Sequence, residues 1–236
     1  MAAVNILEAR GLTRHFGGLK AVDKVDFDLA QGEIHALIGP NGAGKTTFVS
    51  LLSGRIEAQA GGIAFDGRDI TRLPAHVRVR RGIAYTFQIT QIYAALTVFD
   101  NVALAAQSRG SHPLADAVAE ALARVGLTDR TDQIAGTLSY GHQRLLEVAM
   151  GLALKPRLLI LDEPTQGLAR GEIEVFNGIV QAVVPEATVL LIEHNMDVVM
   201  ELAHRITVLN FGEVLATGTP AEIRANRAVQ AAYLGG

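Results

Sequence analysis

Four short, mostly apolar runs set the frame of the chain: Ile34 to Ile38, Ile83 to Phe87, Leu158 to Leu161 and Thr188 to Ile192. Runs of this length with little polar interruption predict strands buried on both faces, as in a parallel sheet. The N-terminal segments read differently. Val4 to Ala9 and Leu12 to Phe16 are short and separated by Gly11, and Val25 to Leu29 alternates strictly, predicting half-buried antiparallel strands. Ile63-Ala64-Phe65 runs into an Asp66-Gly67 turn, and Ile206 to Leu209 and Val214 to Ala216 flank Asn210-Phe211-Gly212-Glu213 as a hairpin.

Helical patterning fills the remainder. Thr46 to Leu52 is helical with Gly54 at its end, Arg72 to Arg81 is a basic, solvated surface helix, and Gly171 to Val183 is a third helix. From Ile89 to Leu154 the chain turns alanine-rich, with Leu114 to Val125 its clearest amphipathic stretch. Gly110 to Pro113 is a loop, and Ser139 to Gln143 opens a helix over Arg144 to Leu154 that Lys155-Pro156 stops. Near the end, Thr219, Pro220 and Glu222 form a helix start with N-cap, first-turn proline and capping box.

Between the first apolar run and the first helix stands Gly39-Pro40-Asn41-Gly42-Ala43-Gly44-Lys45-Thr46-Thr47, spaced G-x-x-x-x-G-K-[ST]. The glycines let backbone N–H groups wrap an anion beside the positive end of a helix. Lys45 supplies a point charge for the β- and γ-phosphates, and the Thr46 hydroxyl is placed to ligate Mg²⁺. A strand-to-helix turn that binds nothing is the plain alternative, and the ordered strand, loop and helix outweigh it. The chain is expected to bind a nucleoside triphosphate.

Each further apolar run ends in a polar group: Gln88 after Phe87, Asp162 and Glu163 after Leu161, His194 beyond Ile192. The carboxyl ends of an open parallel sheet share one edge, where ligands bind. Asp162 then partners Mg²⁺, Glu163 orients or deprotonates an attacking water, Gln88 bonds that water or the metal shell, and His194 holds the γ-phosphate and water in line. Phe16, upstream of the loop, either stacks on adenine or fills the core; the residues alone leave both readings open. Ser139 begins a helix, so its hydroxyl and the N–H groups of the first turn form a second anion site. One chain has no evident use for a second grip on phosphate, unless it serves another subunit's nucleotide.

Composition narrows the function classes. The 236 residues are 49% hydrophobic, enough for a core, and carry a net charge of −3 with both signs mixed, against a nucleic-acid or anionic-membrane surface. The absence of cysteine rules out disulfides and thiolate metal sites. The N-terminus lacks a secretory pattern, and no apolar segment nears the ~20 residues a membrane span needs. The expectation is a soluble, cytoplasmic protein whose membrane association runs through a partner.

Gly39 to Thr47, Gln88, Leu138-Ser139-Tyr140-Gly141-His142-Gln143, Leu158 to Glu163 and His194 occur in the order and approximate spacing of ABC-transporter ATPase subunits, which the chain resembles over essentially its whole length. The resemblance implies a single ABC ATPase domain of α/β class: a P-loop NTPase core with a mixed sheet (residues 1–88 and 155–236), an N-terminal antiparallel β-subdomain and an inserted helical subdomain (residues 89–154). It further implies ATP and Mg²⁺ as ligands and a head-to-tail homo- or heterodimer. In that dimer ATP lies between one subunit's phosphate loop and the other's signature, with Ser139, Gly141 and His142 as contacts. Multispan permease subunits are implied as partners, with a substrate-binding protein indirectly, no nucleic acid, and a place on the inner face of the cell membrane. Leu138 to Arg144, Ile192 to Met196 and Val214 to Gly235 are most similar to subunits importing branched-chain and other hydrophobic amino acids. Urea and short-chain amide importers, and soluble ATPases of iron–sulfur cluster assembly, are the alternatives. The chain departs from the usual pattern in having Tyr140 for glycine, His142 for glutamine or glutamate, and Ala169 for aspartate. Ile89 to Asn101, with Tyr93 and Phe99, is either a permease-docking surface or helical core.

Overall fold

A computed structural model describes residues 4–86, 91–110, 113–184 and 186–234. Its strands form two sheets. The first is antiparallel, in the order β2-β1-β4-β5, from β1 (Asn5–Phe16), β2 (Leu19–Ala30), β4 (Ala60–Phe65) and β5 (Arg68–Asp69). The two segments flanking Gly11 are one strand: the register shifts between Ala9 and Leu12, so the glycine marks a bulge rather than a break.

The second sheet runs β10-β9-β3-β8-β7-β6. Its members are β3 (Ile34–Ile38), β6 (Ile83–Tyr85), β7 (Leu158–Asp162), β8 (Thr188–Ile192), β9 (Arg205–Asn210) and β10 (Glu213–Gly218). β6, β7, β8, β3 and β9 are parallel neighbours, and β10 closes the edge antiparallel through the Phe211-Gly212 turn. Every residue of β3, β7 and β8 is buried, as uninterrupted apolar runs require.

Helix α1 (Lys45–Ser53) lies between the sheets, where Phe48, Leu51 and Leu52 meet Leu7, Leu12, Phe27 and Ile160. The Phe27 ring stands edge-on to Phe48 at 5.4 Å and to His35 at 4.8 Å. On the other face, α3 (Val98–Arg109), α4 (Leu114–Val125) and α5 (Tyr140–Ala153) pack together as the helical insert and join the core formed with α6 (Arg170–Val183). Thr97 and Ser139 cap α3 and α5, and the latter helix starts at Tyr140, one turn earlier than its apolar pattern indicates. A third cluster seats α7 (Met196–Leu202), α8 (Pro220–Ala225) and α9 (Arg227–Leu234) near β3 and β9 through Val199, Ile223 and Val229. The capping box of α8 forms as its residues require.

One expectation fails. The basic stretch from Arg72 contains only a short helix, α2 (Ala75–Arg80), and it is not wholly solvated, because Arg78 is 2% exposed. Its guanidinium donates to the carbonyls of Leu51 and Leu52 at 2.7 and 2.8 Å, and to those of Leu73 and Thr71. These contacts reach carbonyls in the last turn of α1, where the Leu51 carbonyl also accepts from Gly54 N at 3.2 Å. Burial pulls the Arg78 pKa down to about 10, with Asp69 opposing.

Candidate nucleotide site

β3 ends at Ile38 and the chain enters a tight loop at once. Gly39 (φ +153°) and Gly44 (φ +100°) adopt backbone angles that side chains resist. A Cβ on Gly39 would lie 2.2 Å from the Leu209 carbonyl oxygen, and one on Gly44 would lie 2.0 Å from that of Ala21. Both glycines are therefore demanded by the close approach of neighbouring backbone as well as by the loop's curvature. Lys45, 7% exposed, donates from Nζ to the carbonyls of Gly39 (2.7 Å) and Pro40 (3.1 Å). Burial lowers its pKa, with Glu163 and Asp162 as the opposing charges. The ammonium thus spans the loop mouth and faces the carboxylates at the end of β7.

Asn41 to Thr47, Glu163 and His194 line one cleft of about 330 Å³ together with Leu19 and Ala21. His194 Nε2 and Glu163 Oε1 are 2.5 Å apart. Glu163 has φ +47°, in the left-handed region, which costs a non-glycine residue roughly 1–3 kcal/mol. The turn lifts its carboxylate off the strand axis towards the cleft. Asp162, 3% exposed, accepts from the Tyr85 hydroxyl at 2.6 Å. Burial raises the Asp162 pKa against the Tyr85 hydrogen bond, and Glu163 adds to the rise. Burial disfavours the ionised Asp162 more than the nearby Arg144 and Arg55 favour it, and with the Thr46 hydroxyl it makes an all-oxygen donor set that fits a hard divalent ion such as Mg²⁺.

The remaining predicted residues lie apart from this cleft. Ser139 Oγ accepts from His142 N (3.3 Å) and sits 2.7 Å from His142 Nδ1, so the imidazole folds back on the cap. Gly141 and His142 line a different hollow, with Leu145, Leu168 and Glu172. The chain presents the phosphate loop and the signature on separate surfaces. Phe16 is 46% exposed, which removes the core reading; Arg14 lies over its ring at 4.9 Å. Tyr93 is 58% exposed while Phe99 packs partly buried against the helical core, so the two aromatics divide between surface and interior. Gln88 lies outside the described residues.

Three polar residues went unread in the sequence. Tyr85 bonds Asp162, and Arg144 reaches the end of β7 from α5. Glu193, 3% exposed, accepts from Thr165 N and Oγ1 through one oxygen and from His194 N and Asn195 N through the other. It ties the loop after β7 to the loop after β8. The rule that singled out Asp162, a carboxylate ending an apolar strand, applies equally to Glu193 and was its available signal.

Comparison with known proteins agrees with this geometry. A family model described as ABC transporter matches residues 22–166, and one described as branched-chain amino acid ATP-binding cassette transporter matches residues 213–236. The chain is 39% identical to the high-affinity branched-chain amino acid transport ATP-binding protein BraF of Pseudomonas aeruginosa, over 98% of both chains. It is 36% identical to the corresponding protein LivG of Escherichia coli over the same shares, and 33% identical to the lipopolysaccharide export system ATP-binding protein LptB of Escherichia coli over 97% of both. The crystal structure of an ABC-transporter ATP-binding cassette in its ADP conformation superposes with a TM-score of 0.90 at 27% identity, covering 99% of this chain and 100% of the other. Matched by the family model over more than half its length and by such relatives end to end, the chain belongs to the ABC transporter ATP-binding family, in its branched-chain amino acid branch, as a transport-coupled ATPase.

Proposed function

We propose that this chain is the ATP-hydrolysing subunit of an importer for branched-chain amino acids, working at the inner face of the membrane against multispan permease subunits. The cargo assignment is supported by the relatives named for branched-chain amino acid transport and by the matching C-terminal segment. No helix among the described residues is long and apolar enough to cross a membrane, so contact with the bilayer falls to partners. A substrate-binding protein enters only through the permease. Neither the urea and amide importers nor the iron–sulfur ATPases gain an observation in their favour.

The observation that carries the mechanism is the Glu163–His194 pair on the cleft lined by the phosphate loop. The loop's N–H groups and Lys45 hold the β- and γ-phosphates. Glu163 takes the proton of the attacking water, and His194 holds water and γ-phosphate in line. Thr46, Asp162 and Gln88 would hold Mg²⁺, which would neutralise charge on the phosphate oxygens. Ser139, Gly141 and His142 close over the nucleotide of a second ATP-binding subunit, a copy of this chain or a sister. Their separation from the cleft within one chain supports that arrangement. Leu19 lines the cleft, and the exposed Phe16 pairs with it across the β1–β2 turn, from where its ring would stack on adenine.

Glu163→Gln should leave ATP affinity within about twofold and lower turnover by at least about 100-fold. Unchanged turnover in steady-state phosphate release would remove Glu163 as the base. Uptake of labelled leucine by cells lacking the chain, restored by wild type and not by Glu163→Gln, checks the cargo.

A further inference from the structure

Arg144 lies on α5, within the helical insert, and is 1% exposed. Its guanidinium crosses to the end of β7. Nη2 donates to the carbonyls of Asp162 and Glu163, each at 2.8 Å, and Nε donates to that of Pro164 at 3.1 Å. Nη1 donates to Glu147 Oε2 at 2.6 Å, one turn along the same helix. A single cation from the insert therefore grips three consecutive carbonyls of the segment that carries both carboxylates of the site.

What those carbonyls hold is a strained turn. Glu163 sits at φ +47°, and such a conformation persists only where its surroundings over-determine it. Glu163 N donates to the Ile192 carbonyl at 2.8 Å, fixing the peptide before Glu163, and Arg144 holds the carbonyl after it. The task suits a guanidinium, whose donors form a rigid planar fork, and not an ammonium, which is a point charge on a flexible stem. Stability alone gives no reason for the arrangement, because a buried ion pair exchanged for well-packed apolar residues is often neutral or favourable.

We infer that Arg144 is a positioning residue for ATP hydrolysis: through the backbone carbonyls it keeps Glu163 in the left-handed turn that aims its carboxylate at His194 and the cleft. Because Ser139 caps α5, the same rigid helix joins the signature to the base. The inference rests on Glu163 being the base and has its own test.

Arg144→Met/Glu147→Gln removes the cation together with its counter-charge, and Arg144→Lys keeps the charge but not the fork. Both are measured beside Glu163→Gln, in the full chain or the assembled transporter, whichever hydrolyses ATP. The paired variant should hold a fluorescent ATP analogue within about twofold of wild type and keep KM within about threefold, while kcat falls at least about tenfold. Arg144→Lys should fall between the two, at about a threefold loss of kcat with unchanged affinity. Wild-type kcat in Arg144→Lys overturns the assignment, and so does a loss of affinity as large as the loss of kcat. Should the paired variant show no cooperative melting transition, Arg144→Lys decides alone. A fully active Glu163→Gln would bring down the base and this inference together. An inactive Glu163→Gln beside fully active Arg144 variants brings down this inference only.

Discussion

Four carboxylates in this chain differ in what their neighbours make of them. Asp162 is buried, and its ionised form is disfavoured although Arg144 and Arg55 oppose the shift. Glu163 is turned out to an imidazole, and Glu193 is spent on four backbone and hydroxyl donors. Glu33 shows the opposite balance to Asp162: burial raises its pKa, but hydrogen bonds from His35 Nδ1 (3.0 Å) and Ala30 N (3.0 Å) outweigh that and hold it below its ordinary value. Since a carboxylate only accepts, His35 donates from Nδ1, and in the neutral ring Nε2 accepts from Thr207 Oγ1 at 2.8 Å. A depressed carboxylate stabilises the fold above its ordinary range, near 4.5, and that contribution is lost as the pH falls through the lowered folded value. Glu33→Gln keeps an acceptor and drops the charge. It should cost about 1 kcal/mol at pH 7. In paired urea titrations the gap from wild type should close at pH values below the folded pKa; a gap that persists there would assign the effect to packing.

Among the elements, the ones most visible in the sequence are those whose cause is local. The spacing from Gly39 to Thr47 placed α1 to within a residue, the Asp66-Gly67 turn and the Thr219–Glu222 capping box formed as read, and Leu114–Val125 is the extent of α4. What stayed hidden was tertiary. Arg78 acts on carbonyls 26 and 27 positions away, and Arg144 on carbonyls 18 to 20 positions away. Backbone acceptors carry no residue-type signal, so neither arginine is distinguishable by pattern from a solvated one. Within the site, the loop, Asp162, Glu163 and His194 were legible because parallel strands present their ends together; Tyr85 was not, since its role is a contact, while Glu193, just after β8, carried the same signal as Asp162. Arg78 ties α1, and hence the phosphate loop at its start, to the segment between β5 and α2. Arg78→Met should lower stability by about 3 kcal/mol, from the loss of charged hydrogen bonds to carbonyls that remain buried. A change under 1 kcal/mol in chemical denaturation would show those carbonyls satisfied by other means.

At the scale of the whole molecule, two sheets enclose α1, and a helical insert carries α5 alongside the strand that bears the carboxylates. Phosphate loop and signature line separate hollows, so in this account neither makes a complete ATP site alone. Binding energy becomes movement only through contacts that differ between open and closed states, and a signature supplied by a neighbour is such a contact. The direct measurement is ATP turnover per chain along a dilution series, with light scattering recording the fraction paired at each point. The account predicts that turnover per chain falls in step with the paired fraction. Undiminished turnover in a sample that scatters as pure monomer would contradict it.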